Sequence, residues 1–168
     1  MCGIIKTRFI FQRSDKMQIR LATIKDVDQI SLLFIEQFDI QAKLNPYLMQ
    51  SGTQNKQFIE STITDAESDI FVAEEGDKII GFVSVFERQN PDFNFMVQHK
   101  YAYLMDIIVT DGQQGKGIAT KLMDTTKQWA LDRKLDYIEL SVFANNSAVD
   151  FYIKSGYMET GKTMICKL

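Results

Sequence analysis

Disulfide-forming cysteine, long apolar runs and an excess of basic charge are what this chain of 168 residues lacks. Two cysteines, Cys2 and Cys166, are too few for a disulfide framework at this length, so a reducing, cytoplasmic setting is expected. No uninterrupted apolar run approaches the roughly 20 residues of a spanning helix, which argues against a membrane partner. The 19 Lys and Arg against 22 Asp and Glu leave a net charge of -3, so there is no basic footprint for nucleic acid. Internal repeats and low-complexity tracts are missing as well, and no metal site is expected. What remains, 45% hydrophobic and 24% charged residues, suits one folded core. Residues 1–16 scatter Lys6, Arg8 and Arg13 among apolar residues and offer no small-residue cleavage site, so they read as an extension rather than an export signal. That extension is either an added strand or an unstructured arm, and a single domain is expected over residues 17–168.

Hydrophobic periodicity predicts an α/β domain. A strand at Met17–Ala22 is followed by a helix whose apolar residues Val27, Ile30, Leu33, Phe34 and Phe38 recur at three and four. Asn45-Pro46 breaks the chain, and a second helix is predicted over 54–65. Two strands, 69–74 and 78–86, flank a hairpin turn at Glu75-Gly76-Asp77. A long connection, 87–99, leads to a strand at 100–109, a helix from about Gly117 to Arg133 and a strand at 137–143. A short helix over 147–154, a turn at Ser155-Gly156 and a final strand or hairpin from Tyr157 to Leu168 complete the pattern.

The junction Val109-Thr-Asp-Gly-Gln-Gln-Gly-Lys-Gly-Ile-Ala-Thr120 carries the most chemistry, because it joins an apolar strand to an amphipathic helix through small residues. Glycines 112, 115 and 117 let backbone approach a ligand, and the helix beginning beside them aims unpaired N–H groups and its positive dipole end at the same spot. A pyrophosphate fits such a cradle. Two other phosphate loops fail on spacing. Gly117 stands where a P-loop needs a hydroxyl after Lys116, and Thr120 stands where a dinucleotide fingerprint needs its third glycine.

Gln114-Gly115-Lys116-Gly117-Ile118-Ala119 resembles the Gln/Arg-x-x-Gly-x-Gly/Ala signature of the GNAT superfamily of acetyl-CoA-dependent N-acetyltransferases. A later segment, Asn145 through Ala148, Tyr152 and Gly156-Tyr157, is similar to that family's Asn-x-x-Ala-x-x-x-Tyr-x-x-x-Gly-Phe/Tyr pattern. The order of elements agrees from Met17 to Leu168. The resemblance implies a mixed, mostly antiparallel β-sheet flanked by helices and splayed at the cofactor site. It implies acetyl-CoA as donor, with backbone at Ile107, Ile108 and Val109 holding the pantetheine arm and amides from Gln114 to Thr120 holding the pyrophosphate. Asn145 would lie near that arm, with Asn146 as the alternative if the register shifts; Asn146 and Ser147 compete to cap the short helix.

By the same resemblance Tyr152 is the acid that protonates the departing thiolate; its competing role is an aromatic packed on the sheet. For the base, Asp106 and Glu87 lead, with Glu139 and His99 behind them. Period-two alternation puts Asp106 on the same face of its strand as Leu104. Phe38, Tyr47, Leu48, Phe93, Phe95 and Tyr101 are expected to wall the acceptor cleft, which suits a primary amine of a small molecule or peptide. Some of these aromatics would serve equally as contacts in a homodimer. The other reading is a CoA-binding sensor or partner subunit that has lost transfer.

Overall fold

The computed structural model describes residues 17–168, so the predicted extension over 1–16 lies outside the described residues. Five strands, β1 (Gln18–Leu21), β2 (Ser68–Glu75), β3 (Lys78–Gln89), β4 (Lys100–Val109) and β5 (Tyr137–Leu140), form one sheet in sequence order. The first three pairings are antiparallel and β4 with β5 is parallel, giving a mixed, mostly antiparallel sheet. Helices α1 (Val27–Leu44) and α2 (Lys56–Thr64) cover one face, where Ile30, Phe34 and Ile59 pack on Ile70, Val72, Phe82 and Ile108. Helix α3 (Ile118–Asp132) covers the other, setting Leu122, Met123 and Trp129 against Phe71, Val83, Val85 and Leu104. A short helix, α4 (Ala148–Lys154), lies beyond β5 in the chain.

The rings of Phe34 and Phe82, both fully buried, meet at 4.7 Å between centroids and tie α1 to the sheet. Truncating a phenylalanine in such a place to alanine costs about 3–5 kcal/mol. Gly81 lets β3 approach β4 closely, since a Cβ there would stand 2.7 Å from the Ile108 carbonyl oxygen. The hairpin turn falls where the sequence places it, with Gly76 at φ 63°.

Two features depart from the sequence pattern. Ser84 pairs with Asp106 but Val85 pairs with Leu104, so Met105 is an extra residue in β4. The bulge reverses the alternation. Ala102 and Leu104 point into the α3-side core, as do Ile107 and Val109 after the bulge, while Asp106 and Ile108 turn to the α1 side. Asp106 therefore does not share a face with Leu104. The second departure is at the end of the chain: no strand forms over 157–168, and β5 stops at Leu140 rather than 143. A strand needs a neighbour's backbone in register, and residues 158–168 are exposed throughout, so the order of elements alone does not secure one.

At the start of α1, Arg20 reaches Asp26 at 2.8 Å and Glu74 at 2.9 Å, and Asp26 accepts the Thr23 amide at 2.7 Å. The Arg20 guanidinium, with the Thr23 amide helping at Asp26 and Gln18 at Glu74, brings Asp26 from 3.8 and Glu74 from 4.5 each down to about 2. A carboxyl depressed by folding adds stability above its unfolded pKa, and that stability is lost as pH falls through the folded value. The melting temperature should accordingly hold level through neutral pH and fall steeply from about pH 4.5 towards pH 2. Arg20→Gln should lower it at pH 7 and flatten that acid limb in thermal melts.

Candidate active site

Strands β4 and β5 part company early. Their pairing runs from Tyr101 with Tyr137 to Leu104 with Leu140, after which β4 continues alone on that side to Val109. The backbone edge of Met105–Val109 that faces away from β3 thus has no strand partner, and a cleft of about 240 Å³ opens beside it. Gln37, Ile40, Gln41 and Leu44 of α1 line one wall, Met105 and Ile107 another, and residues 140–143 with Asn146 and Tyr152 the rest. An extended amide-bearing chain laid along that edge would find unpaired backbone groups, as an added strand does.

The glycine loop lies at the end of the same strand. Gly115 and Gly117 sit at φ 77° and 76°, backbone that glycine adopts without strain, and a Cβ on either would meet nothing within 4 Å. Among the described residues, the amides from Gln114 to Thr120 have no acceptor, and the first bond across the helix start is Lys121 N–H to Gly117 C=O at 3.2 Å. These N–H groups border open space at a helix N-terminus, which is how an anion site is built. The Lys116 ammonium instead donates to Gln113 at 2.6 Å, and the Gln114 side chain donates to the Val109 carbonyl at 3.3 Å.

Tyr152 lines the cleft, with its ring edge-on to Tyr157 at 5.9 Å and tilted against Phe151 at 5.5 Å. Its hydroxyl makes no hydrogen bond among the described residues, and burial holds the phenol above its ordinary pKa, so it is protonated at neutral pH. Tyr157, pushed up to about 12 by burial and by Tyr152, borders a separate and larger cavity between α3 and residues 154–160. Asn145 donates to the Leu44 carbonyl at 2.8 Å, tying the loop after β5 to the end of α1. Asn146, rather than Ser147, caps α4: its side-chain oxygen accepts the Ala148 amide at 2.9 Å.

Asp106 is held by two donors, the Gln37 amide at 2.7 Å and the Ser84 hydroxyl at 3.0 Å. Burial raises its pKa while both hydrogen bonds oppose the rise. It stands behind Gln37 and does not itself line the cleft. Glu87 does not join this group. It pairs with Lys100 at 3.1 Å and Arg133 at 3.6 Å, outside the cleft. His99 is bound to Asp136 at 2.9 Å at the start of β4, and Glu139 is exposed on β5. The six residues expected to wall the acceptor cleft are elsewhere too. Phe38 packs beside Phe34, Phe93 stacks on Phe95, Tyr101 stacks on Tyr137, Tyr47 lies under Lys167, and Leu48 is exposed. Apolar type alone did not tell a cleft wall from a loop tip.

Three residues that the pattern passed over matter here. Gln37 is the polar member of the buried stripe of α1, and Ser84 is the one hydroxyl inside the apolar run of β3; a polar residue at a core position is the signal each carried. Glu36 accepts the Thr110 hydroxyl at 2.8 Å and the Asp111 amide at 2.7 Å, so α1 also fixes the start of the glycine loop.

A mixed sheet that splits between its parallel pair, beside a glycine-rich loop opening a helix, is the N-acetyltransferase fold. The acetyltransferase (GNAT) family profile matches residues 31–157, and the chain belongs to that family. N-acetyltransferase 8 of Rattus norvegicus is 28% identical over 107 residues, 63% of this chain and 46% of its own length, so the chain spans about half of that relative. The uncharacterized N-acetyltransferase YhfO of Bacillus subtilis (strain 168) is 27% identical over 153 residues, which is 89% of this chain and 96% of that one. The X-ray structure of a tetramutant of the BH1408 protein from Bacillus halodurans superimposes with a TM-score of 0.84 at 25% identity, covering 90% of this chain and 99% of that one. Among the described residues no helix is long and apolar enough to cross a membrane, and no cluster of His, Cys, Asp and Glu is arranged to hold a metal ion.

Proposed function

We propose that the protein is an acetyl-CoA-dependent N-acetyltransferase acting on a primary amine of a small molecule or peptide. The observation that carries the reading is the continuity of one surface: unpaired loop amides at 114–120, then the open edge of β4 at 105–109, then a cleft holding a half-buried, protonated phenol. The order of these features suits a nucleotide with a long amide-bearing arm. Acetyl-CoA, when bound, supplies an activated thioester. The loop amides hold the pyrophosphate, the β4 edge pairs with the amides of the arm, and the helices on either side keep water from the split. The acceptor nitrogen forms a bond to the acetyl carbon as the carbon–sulfur bond breaks. Tyr152 gives the leaving sulfur its proton, the proton of the acceptor amine passes to water, and water returns a proton to the phenolate. Asp106, with both oxygens occupied by donors, serves as a positioning residue for Gln37 rather than as the base.

Residues 17–168 form the transferase domain in this reading and 1–16 an extension, in a cytoplasmic protein that works alone or as a homodimer. Release of free thiol from acetyl-CoA over a panel of primary amines tests the proposal. Turnover with at least one amine, rising with pH as that amine loses its proton, is the expected result. Tight acetyl-CoA binding without thiol release for any amine, together with a stable protein partner in a pull-down, would leave the CoA-binding subunit as the correct reading.

A further inference from the structure

No side chain from Asp111 to Gly117 is buried, so packing does not hold the glycine loop in shape. Hydrogen bonds do, and several of them are internal to it. Gly112 donates its amide to the Asp111 carboxylate at 2.9 Å, Gln113 its amide to the Thr110 carbonyl at 3.2 Å, and Lys116 its ammonium to the Gln113 side chain. Among the described residues, the short contacts that tie this loop to a helix are made at its root by one side chain, Glu36 of α1. Its Oε2 accepts the Thr110 hydroxyl at 2.8 Å and its Oε1 accepts the Asp111 amide at 2.7 Å. The tie from Gln113 to Glu75 of β2 is longer, at 3.4 Å. Thr110 is pinned from its other side as well, since its amide donates to the Ile80 carbonyl of β3 at 3.0 Å. The direction in which the chain leaves β4 is therefore set between β3 and α1.

Resting on the acetyltransferase reading, we infer that Glu36 is a positioning residue for the donor: by holding residues 110 and 111 it aims the amides of 114–120 and so places the pyrophosphate. The sign of its charge argues for that role. A glutamate at neutral pH carries charge of the same sign as a pyrophosphate, so its direct influence on binding is unfavourable. Only through the loop can Glu36 favour acetyl-CoA. A loop released from α1 samples more conformations, and apparent affinity falls with the fraction that stays competent to bind. The positive-φ glycines at 112, 115 and 117 make such release easy, because glycine has the widest backbone freedom. The same helix lines the cleft with Ile40, Gln41 and Leu44, so the clamp also sets the pyrophosphate against the wall where the acceptor arrives.

Calorimetric titration of acetyl-CoA into the full-length protein and its variants, with a thermal melt of each, tests this. Glu36→Met removes both acceptor oxygens and suits a helix. Glu36→Gln is equally neutral but keeps the clamp: its carbonyl accepts the Asp111 amide, and its NH2 donates to the Thr110 hydroxyl, which can accept. Glu36→Met should weaken acetyl-CoA by about ten- to a hundredfold, while Glu36→Gln stays within about threefold of wild type. The two variants share one charge, so the gap between them reports the hydrogen bonds alone. Thr110→Val should weaken binding by about three- to tenfold in the wild-type background and almost not at all in Glu36→Met, where the bond it breaks is already gone. A purely structural role for Glu36 would lower the melting temperature of Glu36→Met and leave the affinity of the folded protein unchanged. That result would overturn the inference, as would Met and Gln variants that bind acetyl-CoA more tightly together, the outcome of a bare charge effect. A wild-type protein that bound no acetyl-CoA would overturn it along with the transferase reading. Affinity lost in Glu36→Met but kept in Glu36→Gln, in a protein that releases no thiol with any amine, would leave Glu36 assigned and remove the transferase reading.

Discussion

Tyr152→Phe should lower turnover by about ten- to a thousandfold while acetyl-CoA affinity stays nearly unchanged. A thiol of ordinary pKa, near 8.5, is a better leaving group than an alkoxide, but its departure into a partly buried cleft still leaves charge on sulfur. The phenol is suited to meet that charge because burial keeps it protonated and its hydroxyl is not engaged elsewhere among the described residues. Since the phenol binds a proton more tightly than a thiolate of ordinary pKa, complete transfer is uphill, and the contribution should fall short of the strongest general-acid cases. Tyr157→Phe is the matched control. Its ring lies only 5.9 Å from that of Tyr152, yet it borders the other cavity, so its loss should change turnover by no more than a few-fold. Steady-state kinetics of both variants, with acetyl-CoA affinity measured by calorimetry, separate the two phenols. Full turnover in Tyr152→Phe would assign the proton to water and return the ring to packing.

Gly117→Val should reduce acetyl-CoA affinity by at least a hundredfold without unfolding the protein. The space a side chain would take there is free of protein atoms, so the loss would come from two other sources. A β-branched residue is strained at φ 76°, and its methyl groups would stand where the loop amides meet the pyrophosphate. Gly112→Ala separates the sources, because Gly112 shares the positive φ, at 77°, but precedes the amide run. It should lose some stability and keep most of its affinity. Thermal shift gives the simplest readout. Acetyl-CoA at a hundred times its dissociation constant adds about 2.7 kcal/mol to wild-type stability, which is roughly 5–10 °C at this chain length. NAD and ATP at equal concentration should add much less. The Val variant should show almost no shift with acetyl-CoA and keep a cooperative transition, since Ile118, Leu122 and Met123 still anchor α3.

The parts of the fold legible in the sequence are those set by local rules. The apolar spacing of α1, the turn at Gly76 and the glycine loop each rest on one segment's own periodicity or backbone needs, and each lies where expected. Tyr152 reached the cleft through a motif, and neighbouring asparagines settled their roles only in three dimensions, Asn145 on Leu44 and Asn146 on the cap. What stayed hidden depends on partners distant in sequence. Gln37 meets Asp106 across 69 positions, and Glu36 meets Asp111 across 75, so no window along the chain contains either pair. The same limit explains the C-terminal segment. The order of elements predicts a strand there, but a strand needs a ladder, and the last strand before it, β5, is only four residues long.

Met105 gives β4 a property that belongs to its register rather than its composition. The strand serves two cores in turn, with even-numbered residues facing α3 before the bulge and odd-numbered ones after it. The side chain at 105 is 44% exposed, so the position acts through being skipped by the ladder rather than through what it packs against. Were Met105 to pair with Ser84 as an ordinary strand residue, everything after it would turn by half a turn, carrying Asp106 into the apolar layer under α3 and Ile107 out towards α1. Which core each later residue of β4 serves is therefore decided by one skipped rung in the ladder to β3, and by no side chain in the strand itself.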